Sequence, residues 1–381
     1  MSLPAPDAAA AENSARLTAQ IASEIEQAGG WLSFARYMEL ALYAPGLGYY
    51  SGGARKFGAA GDFVTAPELS PLFAEALARQ AAPLLAASAP CLLEAGAGSG
   101  ALALGLLRAL ERLGALPERY DILELSGELR ARQQAALAEA PRLAARVRWL
   151  DHLPEHFSGV VVANELLDAL PAHLVAWRED GIFERGVAKA EEGFAWSERP
   201  AQGALLAAAQ ELSASLQPPY LSEIGLAARA WVASWGRILR AGALLLIDYG
   251  FPRREYYHPQ RDSGTLMCHY RHRAHGDPFW LPGLNDLTVH VDFTAIAEAG
   301  HDAGLEVLGY ASQAQFLLNC GITRLLESLD ETPGARAAQT AAVHKLISPA
   351  EMGELCKVLA LGRGIVGPLA GFDQGDRTHA L

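Results

Sequence analysis

Cysteine is scarce. The chain holds four, Cys91, Cys268, Cys320 and Cys356, with no CxxC pair among them. Cysteines so scattered give neither a disulfide framework nor a zinc site, and they fit a reducing compartment. Basic charge is also in short supply: 31 Lys and Arg stand against 43 Asp and Glu, a net charge of −12, and no basic stripe occurs. The electrostatic footprint of a phosphate-backbone binder is missing, so no nucleic-acid partner is expected. No run of about 18 uncharged apolar residues appears, which argues against a membrane-spanning helix. The opening residues carry Asp7 and Glu12 and show neither the apolar stretch of an export signal nor the Arg-rich character of a transit peptide. A cytoplasmic, bacterial location is the expectation.

What the chain does have is apolar material: 51% of its 381 residues are hydrophobic and 19% charged. That length accommodates one elaborated domain or two modest ones. The first dozen residues read as a loose tail. Residues 43–67 are dense in Gly and Pro but interleave Tyr49, Tyr50, Phe57 and Phe63, the pattern of an ordered lid rather than a linker. From residue 71 helices alternate with short continuous apolar runs at 91–95, 120–125, 147–150, 159–163 and 243–248. Such runs are strands covered on both faces, so the fold class is α/β with a mostly parallel central sheet. Alternating segments at 173–178, 182–188 and 194–197 read as a β-hairpin insert. The expected division is a helical and lid segment (1–70), the first part of a Rossmann-like core (71–172), a hairpin and helix insert (173–222), and the remaining core (223–381) with a second insert at 251–285.

The first apolar run, Leu92-Leu93-Glu94, leads directly into Gly96-Ala97-Gly98-Ser99-Gly100 and a helix. Glycines at the carboxyl edge of the first core strand sit where open α/β sheets bind ligands, and the helix start favours an anionic group such as a methionine carboxylate. Glu124 closes the second strand, where a carboxylate accepts ribose hydroxyls, and Asp151 follows the third, within reach of an adenine amino group. Glu94, Gly96, Gly98, Gly100, Glu124 and Asp151 are therefore the expected cofactor-binding residues, joined by Asp62 and Thr65 of the lid. The same glycine turn also satisfies the GxGxxA dinucleotide pattern, so a nicotinamide oxidoreductase is the alternative. Glu94 before the turn and a polar cluster after the fourth strand favour a methyl donor.

That cluster is Asn164-Glu165-Leu-Leu-Asp168, following Val160-Val-Val-Ala163. Methyl transfer needs orientation and a carboxylate that aligns or deprotonates a nitrogen, so Glu165, Asp168 and Asn164 are the candidate catalytic residues. The competing explanation is that Asn164 or Asp168 caps a helix. His269, His272 and His275, three apart, would share a helix face, but no Cys or carboxylate cluster accompanies them, and no metal is expected. His290 and Asp292 stand either at a pocket mouth or, in the case of Asp292, at a helix cap.

Taken together, Tyr49-Tyr50, the run from Gly61 to Ser70, Glu94 to Gly100, Glu124-Leu-Ser126 with Gln133, Ala163 to Pro171, Asp248-Tyr249-Gly250 and Leu287 to Phe293 resemble the MidA family of methyltransferases, which includes the mitochondrial complex I assembly methyltransferase. The matches span most of the chain. The glycine turn lacks the Pro and basic residue usual in that family, and Phe73-Ala74-Glu75 replaces Phe-Gly-Glu. The resemblance implies a class I methyltransferase fold, S-adenosylmethionine held by Gly96, Gly98, Gly100 and Glu124, and a protein acceptor methylated on arginine, such as a complex I subunit. A non-catalytic assembly factor that keeps the cofactor pocket is the further alternative.

Overall fold

The computed structural model describes residues 3–52, 65–329 and 332–381. The chain divides into two units, each assembled from distant segments: Met1–Phe63, Asp168–Ala230 and Arg253–Asp292 form one, while Val64–Leu167, Trp231–Pro252 and Phe293–Leu381 form the other.

The second unit carries the α/β core. Its strands are β1 (Cys91–Ala95), β2 (Arg119–Leu123), β3 (Val147–Leu150), β4 (Phe157–Asn164), β5 (Leu239–Phe251), β6 (Glu306–Ser312) and β7 (Cys356–Arg363), in the order β3-β2-β1-β4-β5-β7-β6. β1 to β5 run parallel, and β7 runs antiparallel to both β5 and β6. Val160, Val161 and Val162 of β4 and Leu244 to Ile247 of β5 are all buried, which a strand achieves only with both faces covered. Helices α1 (Pro71–Ala87), α2 (Ala101–Arg112) and α3 (Gly127–Leu137) are interleaved with the first strands. α1 starts where Ser70 caps it by accepting from the Leu72 N–H at 3.2 Å, with Pro71 at the first helical position. The expected mostly parallel sheet is borne out.

β4 and β5 approach each other through glycine. Gly159 and Gly242 are register partners, with φ of 131° and 129°. A Cβ on Gly242 would lie 1.8 Å from the Gly159 carbonyl oxygen, and one on Gly159 would lie 2.0 Å from that of Cys91. No side chain fits at either position without parting the strands.

In the first unit, strands Leu32–Ser33, Gly181–Lys189, His173–Arg178 and Tyr220–Ile224 lie in that order, with Phe194–Pro200 paired to Gly181–Lys189. The three segments expected to form the hairpin insert are consecutive antiparallel strands, Gly181–Lys189 pairing with each of the other two. The first residues are not a loose tail: a helix runs over Ala8–Gln27, its start capped by the Asp7 carboxylate, which accepts from the Ala10 N–H at 2.8 Å. It buries Leu17, Ile21 and Ile25 against a core shared with Phe34, Tyr37 and Met38. His269, His272 and His275 do not share a helix face either. They lie on a hairpin of strands Met267–Tyr270 and Arg273–His275, turned by Arg271 and His272 at φ 46° and 59°. Glu223, buried in Tyr220–Ile224, fastens this region. Its Oε1 accepts from the Thr265 and Leu266 N–H groups at 2.7 and 2.9 Å, and its Oε2 from the Tyr256 and Thr265 hydroxyls at 3.0 Å each.

Candidate cofactor and acceptor site

The carboxyl ends of β1, β2 and β4 bring together most of the residues singled out by sequence. After β1 the backbone turns through Gly96, Gly98 and Gly100 at φ 70°, 51° and 86°, values that side chains disfavour. The turn is held to β2 by the Gly96 N–H, which donates to the Leu123 carbonyl at 3.0 Å. α2 then begins with no side-chain cap, so donor capacity remains at its first turn for an anionic group.

Glu94 lies inside β1, buried, with its Oε2 accepting from the Tyr120 hydroxyl at 2.5 Å. Burial pushes its pKa up to about 7 against the lowering effect of that hydrogen bond. Glu124, just past β2, is held on both oxygens: Oε1 accepts from the Ser126 N–H at 2.9 Å and Oε2 from Gln133 Nε2 at 3.1 Å. Burial raises its pKa, and these hydrogen bonds and Arg130 oppose the rise. A carboxylate has about four acceptor positions, so room remains for hydroxyl donors.

Asp151 is exposed and ion-paired, its Oδ1 2.7 Å from Arg130 Nη2. Thr65 stands at the N-cap of the short helix Ala66–Leu69, its N–H donating to Glu68 Oε2 at 3.4 Å. Asp62, like Phe57, Gly61 and Phe63 of the expected lid, lies outside the described residues. Of that lid, Tyr50 stacks on Tyr43 and donates its hydroxyl to Asp286 Oδ1 at 2.9 Å, all within the first unit.

At the end of β4, Asn164 and Glu165 are brought together. Glu165 adopts φ 51°, a conformation that costs a non-glycine residue about 1 kcal/mol or more. Its Oε1 accepts from Asn164 Nδ2 at 3.1 Å and from the Ala66 N–H at 3.2 Å. The residue is only partly buried, yet the packing round its carboxyl pushes the pKa up to about 8, assisted by the neighbouring charge of Asp248. Asn164 Oδ1 is buried with no hydrogen-bond partner among the described residues. Asp248 of β5 anchors the turn after Glu165: its Oδ2 accepts from the Leu166 and Leu167 N–H groups at 3.1 and 2.7 Å.

Asp168 is buried in the first unit, where its carbonyl accepts from the Val289 N–H at 3.0 Å. His290 and Asp292 are also there. The His290 N–H donates to the Thr265 hydroxyl at 2.9 Å, and Asp292 lies 3.7 Å from Arg253. Two residues of this edge escaped the sequence reading as site residues, Gln133 and Asp248. Each was visible in the motif strings, but neither stands next to the glycine turn in sequence.

Residues 75–311 match the model of a family described as S-adenosyl-L-methionine-dependent methyltransferase. Among curated proteins, the mitochondrial protein arginine methyltransferase NDUFAF7 of Danio rerio is 30% identical, over 91% of this chain and 90% of its own length. That of Mus musculus is 29% identical, over 87% and 81%. Among solved structures, a protein from Burkholderia thailandensis bound to S-adenosyl-homocysteine is 54% identical, superposes with a TM-score of 0.95, and is covered in full, as is this chain. The cytoplasmic location expected from sequence is corrected by these comparisons: the curated relatives are named as mitochondrial proteins. Among the described residues no helix is long and apolar enough to cross a membrane.

Proposed function

Since this chain belongs to the family of S-adenosylmethionine-dependent methyltransferases, we propose that it methylates an arginine nitrogen of a protein acceptor, such as a respiratory complex I subunit. The methyl donor and the class I fold expected from sequence are borne out by the family match and by the neighbour bound to S-adenosyl-homocysteine; the nicotinamide alternative falls with them. Arginine as the acceptor is supported by the names of the curated relatives and by chemistry at the end of β4.

The observation that carries the reading is the pairing of a partnerless buried Asn164 Oδ1 with the Glu165 carboxylate. Both accept hydrogen bonds, and a guanidinium offers five N–H donors in a fixed planar fork. S-adenosylmethionine supplies an already activated methyl on a sulfonium. What the chain contributes is orientation of the acceptor nitrogen and removal of its proton. With its pKa raised to about 8, Glu165 is mostly protonated at neutral pH, and its ionised fraction, which grows as pH rises through 8, is the base that takes that proton. In this reading Gly96, Gly98, Gly100 and Glu124 hold the donor, while Glu94 stiffens the strand beneath it. Asp151, Asp62 and Thr65 remain candidates for contact with the donor, and Asp168 for contact with the acceptor.

The test uses methyl-labelled S-adenosylmethionine and unassembled complex I subunits, followed by acid hydrolysis and identification of the labelled residue. Methylarginine is expected from the native enzyme, with loss of label in Glu165→Gln while S-adenosylhomocysteine still binds. Label on lysine, on a carboxylate or on no protein would overturn the arginine reading. Asp168→Asn and Asp151→Ala, assayed separately, decide those two assignments.

A further inference from the structure

We propose that Gln133 is a positioning residue for the donor's ribose, acting through Glu124. The inference rests on the reading of Glu124 as the ribose-binding carboxylate. Gln133 lies on α3, fully buried, and all its amide hydrogens are committed. Nε2 donates to Glu124 Oε2 and to the Gly98 carbonyl, both at 3.1 Å, and Oε1 accepts from Trp149 Nε1 at 2.9 Å. A single amide therefore ties the glycine turn after β1, the acid after β2, and a side chain of β3.

The three attachments leave that amide one orientation. Trp149 can only donate, so it fixes Oε1 toward itself and turns both N–H bonds toward the carboxylate and the carbonyl. A hydrogen bond to an ionised acceptor is worth about twice a neutral one, and it constrains which Glu124 lone pairs stay open. The neighbouring backbone is equally close: a Cβ on Gly100 would lie 3.0 Å from the Gln133 Cα, so turn and helix meet without space for adjustment. One helical turn earlier, Arg130 completes the brace. Its Nε donates to the Glu124 carbonyl and its Nη2 to the Leu150 carbonyl, both at 2.7 Å. Arg130 fixes the backbone at the ends of β2 and β3; Gln133 fixes the carboxylate itself.

The experiment compares calorimetric binding of S-adenosylhomocysteine with that of its 2′,3′-dideoxyribose analogue to the full chain, in native protein, Gln133→Met, Glu124→Ala and the double variant. Methionine keeps the length and apolar bulk of the side chain and removes its hydrogen bonds. Native protein should prefer the hydroxylated ligand, and Gln133→Met should shrink that preference about tenfold, weakening the dideoxy analogue far less than the hydroxylated ligand. In the Glu124→Ala background the same substitution should add nothing. Equal weakening of both ligands, or additive losses in the double variant, would show Gln133 to be merely structural and overturn the proposal. If Glu124→Ala itself leaves the preference intact, the ribose reading of Glu124 fails first and takes this inference with it. Should Gln133→Met lose its fold, Trp149→Phe frees the amide orientation alone, and an unchanged preference there likewise overturns the proposal.

Discussion

The Glu94 carboxyl sits inside the sheet with one hydrogen-bond partner among the described residues, the Tyr120 hydroxyl, and burial raises its pKa from 4.5 to about 7. Between those two values the folded protein holds a proton that the unfolded chain has released. Stability contributed by the neutral carboxyl is therefore complete below the unfolded value and declines as pH rises through the folded one. Glu94→Gln keeps the shape, cannot ionise, and can still bond to Tyr120, so it removes this slope. From pH 5.5 to 7 the wild type loses about 1 kcal/mol per pH unit at this site, and the advantage of glutamine should grow by about 2 kcal/mol between pH 5.5 and 8. For a unit of this size that corresponds to a melting-temperature gap wider by roughly 4–8 °C at the higher pH. Differential scanning calorimetry of both proteins without ligand, at the two pH values, measures it. A gap that is constant or narrows with pH would mean that Glu94 is ionised throughout, and the argument from burial would fail.

Glu165 must be ionised to act as a base, so at saturating substrates the methyl-transfer rate should climb as pH rises to about 8 and then level off, and Glu165→Gln should flatten that rise and lower kcat by roughly 10²- to 10⁴-fold; a pH profile that survives the substitution assigns the proton elsewhere. Gly242→Ala forces a methyl group onto the Gly159 carbonyl and should cost about 3 kcal/mol or prevent folding, read from melting temperature and soluble yield; an unchanged melt would refute the close approach of β4 and β5. Glu223→Ala strands the donors of Tyr256, Thr265 and Leu266, a loss on the order of 3 kcal/mol. Thermal unfolding of that variant should begin at least several degrees earlier, and a native-like melt would count against the network.

The core was legible because its strands announce themselves. Apolar runs such as 91–95 and 243–248 fall in β1 and β5, and a strand covered on both faces permits little else. The acid after β2 and the polar pair after β4 followed from position at strand ends. What could not be read was information carried across the sequence. Tyr220–Ile224 hides behind Pro218-Pro219 and declares itself only through pairing with His173–Arg178. The His269 to His275 hairpin turns on Arg271 and His272 in left-handed conformations that no glycine or asparagine advertises. Gln133 reads as an ordinary polar residue within α3, and its three attachments come from Gly98, Glu124 and Trp149. Asp62 and its neighbours in the lid lie outside the described residues.

The strand order has a consequence for biosynthesis. β7 follows β5 and β6 in sequence, yet it fills the slot between them. Until residue 363 has emerged, those two strands have unpaired backbone edges facing a gap, a template for association with other nascent chains. The sheet is therefore closed by insertion of β7 between two strands made before it. A chain cut just before Cys356 would lose not a tail but the strand that joins β5 to β6.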